Sequence, residues 1–552
     1  MEIKTFRIFQ SKSLIIALFL LLLSKPYFLY GQTTYQYYYR VYFRDKGENA
    51  ISGFTPAQLL SNKAIARREK VNIPTLQITD IPVSGEYING ITALGLKYHC
   101  SSKWMNTALF KSVQPFDSNI LLSLPFVVGV KTVRNSVSKG TSIDKLDFEY
   151  NLSLQTYDRP LTMINGSNLQ QSGFTGKGIL IAVLDGGFMY ADNASSLLNL
   201  RNRKGIKSTY DFVLNNKEVY GYHNHGTSVL SVIAGDIEGV IAGTAPGADF
   251  MLLRTEDSGS EFPVEEDYWV AGAEFADSSG ADIITSSLGY SQFDDAAMNY
   301  KYSDMDGNTA FVTKGADVAA SKGILVFNSA GNERNKQWFY IIAPSDGDSV
   351  LAVGAVDENE NISIFSSSGP SADERVKPDN VAMGVAVPVQ VNSTLIAGAN
   401  GTSFSCPVLS GTTACLMQAA PKASNTEILN ALHSSADRYQ NPDPLYGYGV
   451  PDMISALLKL QQKYVTIPDN DFVISPNPTT GTFEITFRQP PGKLTIEIFT
   501  GSGKVLFKQN YQQFAGRVFM INELQNREQG LYIVRLNTEN GTFVHKVIKI
   551  NN

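Results

Sequence analysis

Residues 156–464 repeat one pattern: a short apolar run without polar alternation, followed by a stretch of helical periodicity. The runs are Ile179 to Leu184, Asp282 to Leu288, Ile324 to Asn328 and Val350 to Val356. A strand with one wet face alternates apolar and polar residues, whereas a strand buried on both faces does not. Thr227 to Ala234, Tyr268 to Ser278 and Thr313 to Ser321 carry the helical spacing between them. Strands alternating with helices imply an α/β fold, a parallel sheet with helices on both faces. Sheets of this kind place their sites at the carboxyl ends of the strands.

The flanks have a different character. Lys4, Arg7 and Lys12 precede the apolar run Leu14 to Leu23, and small or polar residues follow around Gly31 and Gln32. That is the layout of a secretory signal, here residues 1–31. The run is half the length of a membrane span, which needs ~20 residues, so no transmembrane anchor is expected. Residues 32–155 mix strand-like runs (Tyr37 to Phe43, Phe126 to Val133) with a charged helical stretch, Thr55 to Lys70, and read as a small α+β unit. Its end, Asn135 to Asp158, is polar and rich in Ser and Lys, which suits an exposed, cleavable linker. In residues 471–552 a turn cluster, Asn477 to Gly481, leads into alternation at Phe483, Ile485 and Phe487, then at Leu494, Ile496 and Ile498. Gly501-Ser502-Gly503 supports a hairpin turn, and a small antiparallel β-sandwich without catalytic groups is expected.

With 552 residues the chain exceeds one ordinary domain, and its net charge of −6 gives no reason to expect a nucleic-acid partner. Three cysteines are too few for a disulfide framework, and Cys406 and Cys415 read as small buried thiols.

Four short motifs carry possible chemistry. Asp185 ends the run Ile181-Ala182-Val183-Leu184 and is followed by Gly186-Gly187. Alone, it is an ordinary strand-end acid. His225 lies in His223-Asn224-His225-Gly226-Thr227 at the start of a helical run. An imidazole there can act as a general base near neutral pH, but a capping or surface histidine looks the same. The two histidines, at i and i+2 with no Cys or Glu ligand nearby, make a poor zinc signature. Asn332, in Ser329-Ala330-Gly331-Asn332, follows a buried run and has a side-chain amide able to donate to a developing oxyanion, or merely to make a turn. Ser403, in Gly401-Thr402-Ser403-Phe404-Ser405-Cys406-Pro407, precedes the apolar helical stretch Val408 to Ala420. A serine there exposes its hydroxyl beside a glycine that lets a substrate backbone approach; its commoner role is a helix cap.

Together the four are more specific. Acid, base, oxyanion donor and nucleophile follow one another in one α/β block, and Asp before His before Ser is the subtilisin order, not that of chymotrypsin or the α/β-hydrolases. Residues 156–464 therefore resemble the subtilisin-like (S8, subtilase) serine proteases, on the motifs around Asp185, His225, Asn332 and Ser403. Gly243 to Ala248 looks like the loop leading to that family's next strand, and Ser286-Ser287-Leu288-Gly289 like its substrate-lining strand. The resemblance implies a serine endopeptidase with Asp185, His225 and Ser403 as triad, Asn332 in the oxyanion hole, and Ser287, Leu288 and Gly289 against substrate. Register with Gly226-Thr227 favours His225 over His223. Ser228 stands where many relatives have a second His, and Cys406 where many have a small Ser or Ala.

Residues 32–155 resemble the propeptides of secreted subtilases. Residues 471–552 are similar to the C-terminal sorting domains of the type IX secretion system of Bacteroidota, on Ser475-Pro476-Asn477-Pro478, Gly530 to Leu536 and Lys546 to Ile550. The implied partners are protein or peptide substrates and the type IX machinery, and the enzyme is expected outside the cell as a monomer. Catalysis needs no cofactor. Asp304, Asp306 and Asn308 around Gly307 hint at a calcium loop, but Gly315 stands where the EF-hand pattern needs an acid, so a solvated turn is the better reading. Structural calcium stays an expectation by resemblance, without assigned ligands. The alternative function is a catalytically silent subtilase fold used for surface adhesion, which the intact set of four groups argues against.

Overall fold

The computed structural model describes residues 36–135, 145–146, 148–151, 157–464 and 471–550. The expected signal, residues 1–31, lies outside them, and no helix among the described residues is long and apolar enough to cross a membrane.

The N-terminal unit is a four-stranded antiparallel sheet with order β2-β3-β1-β4. Its strands are β1 (Tyr37–Phe43), β2 (Lys97–Ser102), β3 (Thr107–Ser112) and β4 (Val127–Arg134). The charged stretch is divided into a single turn, Pro56–Leu59, and helix α1 (Asn62–Lys70). Ser61 starts α1 as its cap, with Oγ accepting from the Ala64 N–H.

The linker reading is corrected in part: Leu146 is buried and Tyr150–Asn151 form a short strand, β5, whereas Glu149, Tyr150 and Asn151 are exposed as composition suggested. A buried leucine and strand pairing, which composition does not encode, hold this stretch in place.

The central sheet has seven parallel strands in the order β14-β13-β12-β11-β6-β10-β7. They are β6 (Leu180–Asp185), β7 (Ile206–Asp211), β10 (Asp249–Arg254), β11 (Ile283–Ser286), β12 (Leu325–Ser329), β13 (Val350–Val356) and β14 (Asn380–Met383). A two-residue hairpin, β8 (Asp236–Ile237) with β9 (Ile241–Ala242), interrupts the series. Alternation along β6 assigns its two faces. Ile181 and Val183 join the core that holds helix α2 (His225–Ala234) and the long helix α5 (Thr402–Ala419). Leu180, Ala182 and Leu184 join the opposite core, with α3 (Val264–Ser279) and α4 (Phe311–Ser321). Period two then puts Asp185 on the side of α2 and α5.

The N-terminal sheet rests on α3 through charge as well as packing. Arg40 is wholly buried, grips Asp267 with two bonds of 2.8 and 2.7 Å, and lies 3.4 Å from the centre of the Phe311 ring. Arg68 bridges Asp80 and Asp277, and Arg67 also pairs with Asp277. Glu274 accepts from the Ser102 hydroxyl and from the Lys103 and Trp104 N–H groups.

The C-terminal unit packs two antiparallel sheets over one core. One holds β17 (Phe472–Ser475), β18 (Phe483–Phe487) and β21 (Val518–Ile521). The other holds β19 (Gly492–Thr500), β20 (Val505–Phe514), β22 (Gly530–Thr538) and β23 (Gly541–Lys549). Phe483, Ile485, Ile496, Ile498 and Val534 meet between them, and the expected hairpin joins β19 to β20. The unit touches the central domain where the Arg517 N–H donates to Gln461 at 2.7 Å and Phe174 meets Phe514.

His99 gives the domain contact a pH dependence. Its Nε2 donates to the Phe212 carbonyl at 2.9 Å, and the Lys111 ammonium, 3.0 Å away, donates to Nδ1. Tyr38 and Tyr268 flank the ring, and Lys97 adds a second nearby positive charge. Burial, then Lys111, push its pKa from 6.5 down to about 4. The neutral ring therefore stabilises the fold fully above pH 6.5, and that contribution is lost as pH falls toward 4, by roughly 3 kcal/mol. Melting of the intact chain between pH 7 and pH 4 should fall more steeply for the parent than for His99→Gln, which keeps a donor but cannot charge. Parallel curves would contradict this.

Candidate active site

Asp185 ends β6 fully buried, so its charge needs partners. The Gly186 N–H donates to Oδ1 at 2.7 Å, and His225 Nδ1 lies 2.9 Å from each carboxylate oxygen. It is His225, not His223, that meets Asp185; the His223 ring accepts from the His225 backbone N–H at 3.1 Å. The contact requires α2 to start hard against the end of β6. A Cβ on Gly226 would lie 2.5 Å from the Gly187 carbonyl oxygen and 2.9 Å from the Asp185 Cβ, so glycine is what permits it. With Nδ1 donating to Asp185, Nε2 is left as the acceptor nitrogen of the ring.

Ser403 lies in the first turn of α5, which begins at Thr402, before the apolar stretch that starts at Val408, and lines the same cleft as His225. Pro407 stands four residues on inside this helix and has no N–H for the Ser403 carbonyl. Ser287 replaces it: its hydroxyl donates to that carbonyl at 2.9 Å. One bond thus ties the segment Ser287-Leu288-Gly289, which lines the cleft, to the helix carrying Ser403.

Asn332 lies just past the end of β12. Gly331 before it has φ +107°, and a Cβ there would meet the Ser367 hydroxyl at 2.7 Å. Asn332 Oδ1 accepts from the Thr402 N–H at 3.0 Å and from the Thr402 hydroxyl at 2.9 Å. The amide oxygen being engaged, the NH₂ end is the one left to face the cleft that Asn332 lines. Thr402 went unnoticed in the sequence, where only its place beside Ser403 could have pointed to it.

The cleft also holds a stretch of the chain that sequence reasoning left in solvent. Lys145, Leu146, Phe148 and Glu149 line it together with His225, Asn332 and Ser403. Phe148 stands edge-on to His225, ring centres 5.9 Å apart, and to Phe404, 5.2 Å apart. β5 then pairs antiparallel with β16 (Ile396–Ala399), the strand leading to Gly401, which also pairs with β15 (Val387–Gln390). Glu256, Glu261 and Glu265, also missed, surround the Lys145 ammonium.

Cys406 and Cys415 are buried free thiols, as read. Asp306 accepts from the Asn308 and Thr309 N–H groups and from the Thr309 hydroxyl, the bonds of a turn.

Comparison with known proteins agrees with this layout. Residues 176–449 match the subtilase family (peptidase S8), residues 38–146 the peptidase S8 propeptide domain of Bacteroidota, and residues 473–551 the secretion system C-terminal sorting domain. Subtilisin DY of Bacillus licheniformis is 29% identical over 287 residues, 51% of this chain and 92% of that protein. Alkaline elastase YaB of Bacillus sp. (strain YaB) is 29% identical over 293 residues, 52% of this chain and 67% of that protein. Among solved structures, the prenylagaramide maturation protease PagA aligns with 53% of this chain and 98% of its own, at 21% identity and a TM-score of 0.43. The chain carries a subtilase-family serine endopeptidase domain between a Bacteroidota S8 propeptide domain and a secretion system C-terminal sorting domain.

Proposed function

We propose that this secreted protease hydrolyses peptide bonds of proteins through an acyl-enzyme, with Ser403 as nucleophile, His225 as general base and Asp185 as the group that orients and stabilises the imidazolium. The observation that carries this reading is the pair of 2.9 Å contacts from His225 Nδ1 to Asp185, at the edge of the cleft that Ser403 lines. They fix the tautomer in which Nε2 takes the serine proton as its oxygen attacks the carbonyl. The negative charge then forming on the carbonyl oxygen is met by the Asn332 NH₂ and the Ser403 N–H. Collapse expels the amine, which takes the proton from His225, and water releases the acyl group by the same route. Ser287, Leu288 and Gly289 flank the substrate backbone.

The propeptide domain keeps the cleft filled until it is cut away, a role supported by Lys145 and Leu146, the end of its match, lining the cleft. The C-terminal sandwich presents the chain to the type IX secretion machinery, and the mature enzyme works as a monomer. Structural calcium is a further proposal from the resemblance, with no ligands assigned.

Ser403→Ala should lower casein hydrolysis at least ~10⁴-fold. Asn332→Leu should lower kcat ~10²-fold or more with little change in KM. Parental rates in the first variant, or a KM effect alone in the second, would contradict the assignment. Removing residues 471–552 should leave the protein in the periplasm on cell fractionation, and normal release of the truncated chain would count against the sorting role.

A further inference from the structure

Lys145 and Leu146, the last two residues of the propeptide match, lie in the cleft rather than beside it. The Lys145 ammonium is shared by three carboxylates: Glu261 at 2.7 Å, Glu265 at 2.8 Å, and Glu256 in close contact. The pocket is built to hold charge in place. Glu265 accepts from the Asp257 N–H at 2.9 Å and the Phe262 N–H at 3.2 Å, and Glu256 accepts from the buried Tyr290 hydroxyl at 2.8 Å. Glu256 and Glu265 are buried, and Glu261 Oε1 is buried with no hydrogen-bond partner. Neighbouring Asp257 has its own cations in Arg134 and Arg254. Among the described residues these three glutamates are the one cluster arranged closely enough to hold a cation, and a lysine occupies it.

Direction matters as much as charge. From Lys145 the chain passes Leu146, whose side chain lies against Gly186, then Phe148 on His225, then β5 paired with β16. A peptide substrate following the same path presents one side chain to the three glutamates three residues before the side chain that rests on the imidazole. Three carboxylates around one site repel each other and cannot all stay charged without a cation among them. Burial, and Glu256 close by, push the Glu261 and Glu265 carboxyls upward, and the Lys145 ammonium pulls both back down.

We propose that Glu256, Glu261 and Glu265 form a subsite that selects lysine or arginine in protein substrates, and that Lys145 is its internal occupant. The inference rests on reading the cleft as the substrate groove. A long flexible cation fits because its stem lies along the cleft wall while the head meets three anchored acceptors. A neutral side chain would leave those carboxylates desolvated and unpaired, which gives selection against it as well as for a base.

The test compares two quenched peptides carrying residues 143–151, one with the natural lysine and one with glutamine there, on the processed secreted protein. The lysine peptide should have at least a tenfold higher kcat/KM, with arginine retaining most of it. Glu261→Gln and Glu265→Gln should reduce the preference below threefold; if either fails to fold, the comparison on the parent decides. Equal values for lysine and glutamine would overturn the proposal, and a calcium-dependent rise in melting temperature, lost in Glu261→Gln, would then assign the pocket to a metal. Failure of the protease reading gives a different result. Casein and both peptides would stay uncut, and fluorescence anisotropy of the labelled peptides would still decide the pocket, by tighter binding of the lysine form or by its absence.

Discussion

The cleft is organised by a buried carboxylate at the end of a strand that has no wet face. β6 is apolar on both sides because helices cover both, so Asp185 emerges into a site from which water is excluded. A charge there persists only if it is hydrogen-bonded, and the partners must come from the elements nearest the strand end. The Gly186 N–H supplies one and the His225 ring the others. That requirement fixes the start of α2, the glycine at position 226, and through α2 the cleft edge against which α5 brings Ser403. The same economy recurs on the other wall, where Thr402 holds the Asn332 oxygen and Ser287 serves the carbonyl orphaned by Pro407.

A second electrostatic constraint binds the propeptide domain. Helix α3 carries Glu265, Glu266, Asp267, Glu274 and Asp277, all buried, an unusual load for a helix in a hydrophobic layer. Each has a cation or donor brought to it from the N-terminal side: Lys145, Arg40, Arg67, Arg68 and the turn at Ser102 to Trp104. Removing one partner of a buried pair of this kind costs about 3–5 kcal/mol, so the contact is specific as well as large. The triple-glutamate pocket is the part of that charged surface inside the cleft.

Much of this was legible in the sequence, for a physical reason in each case. Strands buried on both faces write themselves as unbroken apolar runs, so β6, β12 and β13 fell within one residue of their expected positions. Alternation in Phe483, Ile485 and Phe487 revealed the sandwich because one face of each sheet is wet. Asp185, His225, Asn332 and Ser403 stood out because each is polar at the boundary of an apolar element. What was hidden depended on contacts distant in sequence. Lys145 looked like one more linker lysine until three glutamates more than a hundred residues away surrounded it. Thr402 acts through two hydrogen bonds to Asn332, and Ser287, expected only beside substrate, also bonds the Ser403 carbonyl; no local pattern encodes either contact. The start of α5 was placed late because its first turn, around Ser403, is polar while the helix itself is buried.

The central claim is that one serine among several in this cleft is the nucleophile. Reacting the processed, folded protein with a serine-directed fluorophosphonate and mapping the adduct by peptide mass spectrometry tests it most directly. The account predicts one adduct per chain, on Ser403, and none on Ser405, whose hydroxyl is buried and bonded to the Thr402 carbonyl. An adduct on another serine, or none on a protein that melts cooperatively, would contradict it.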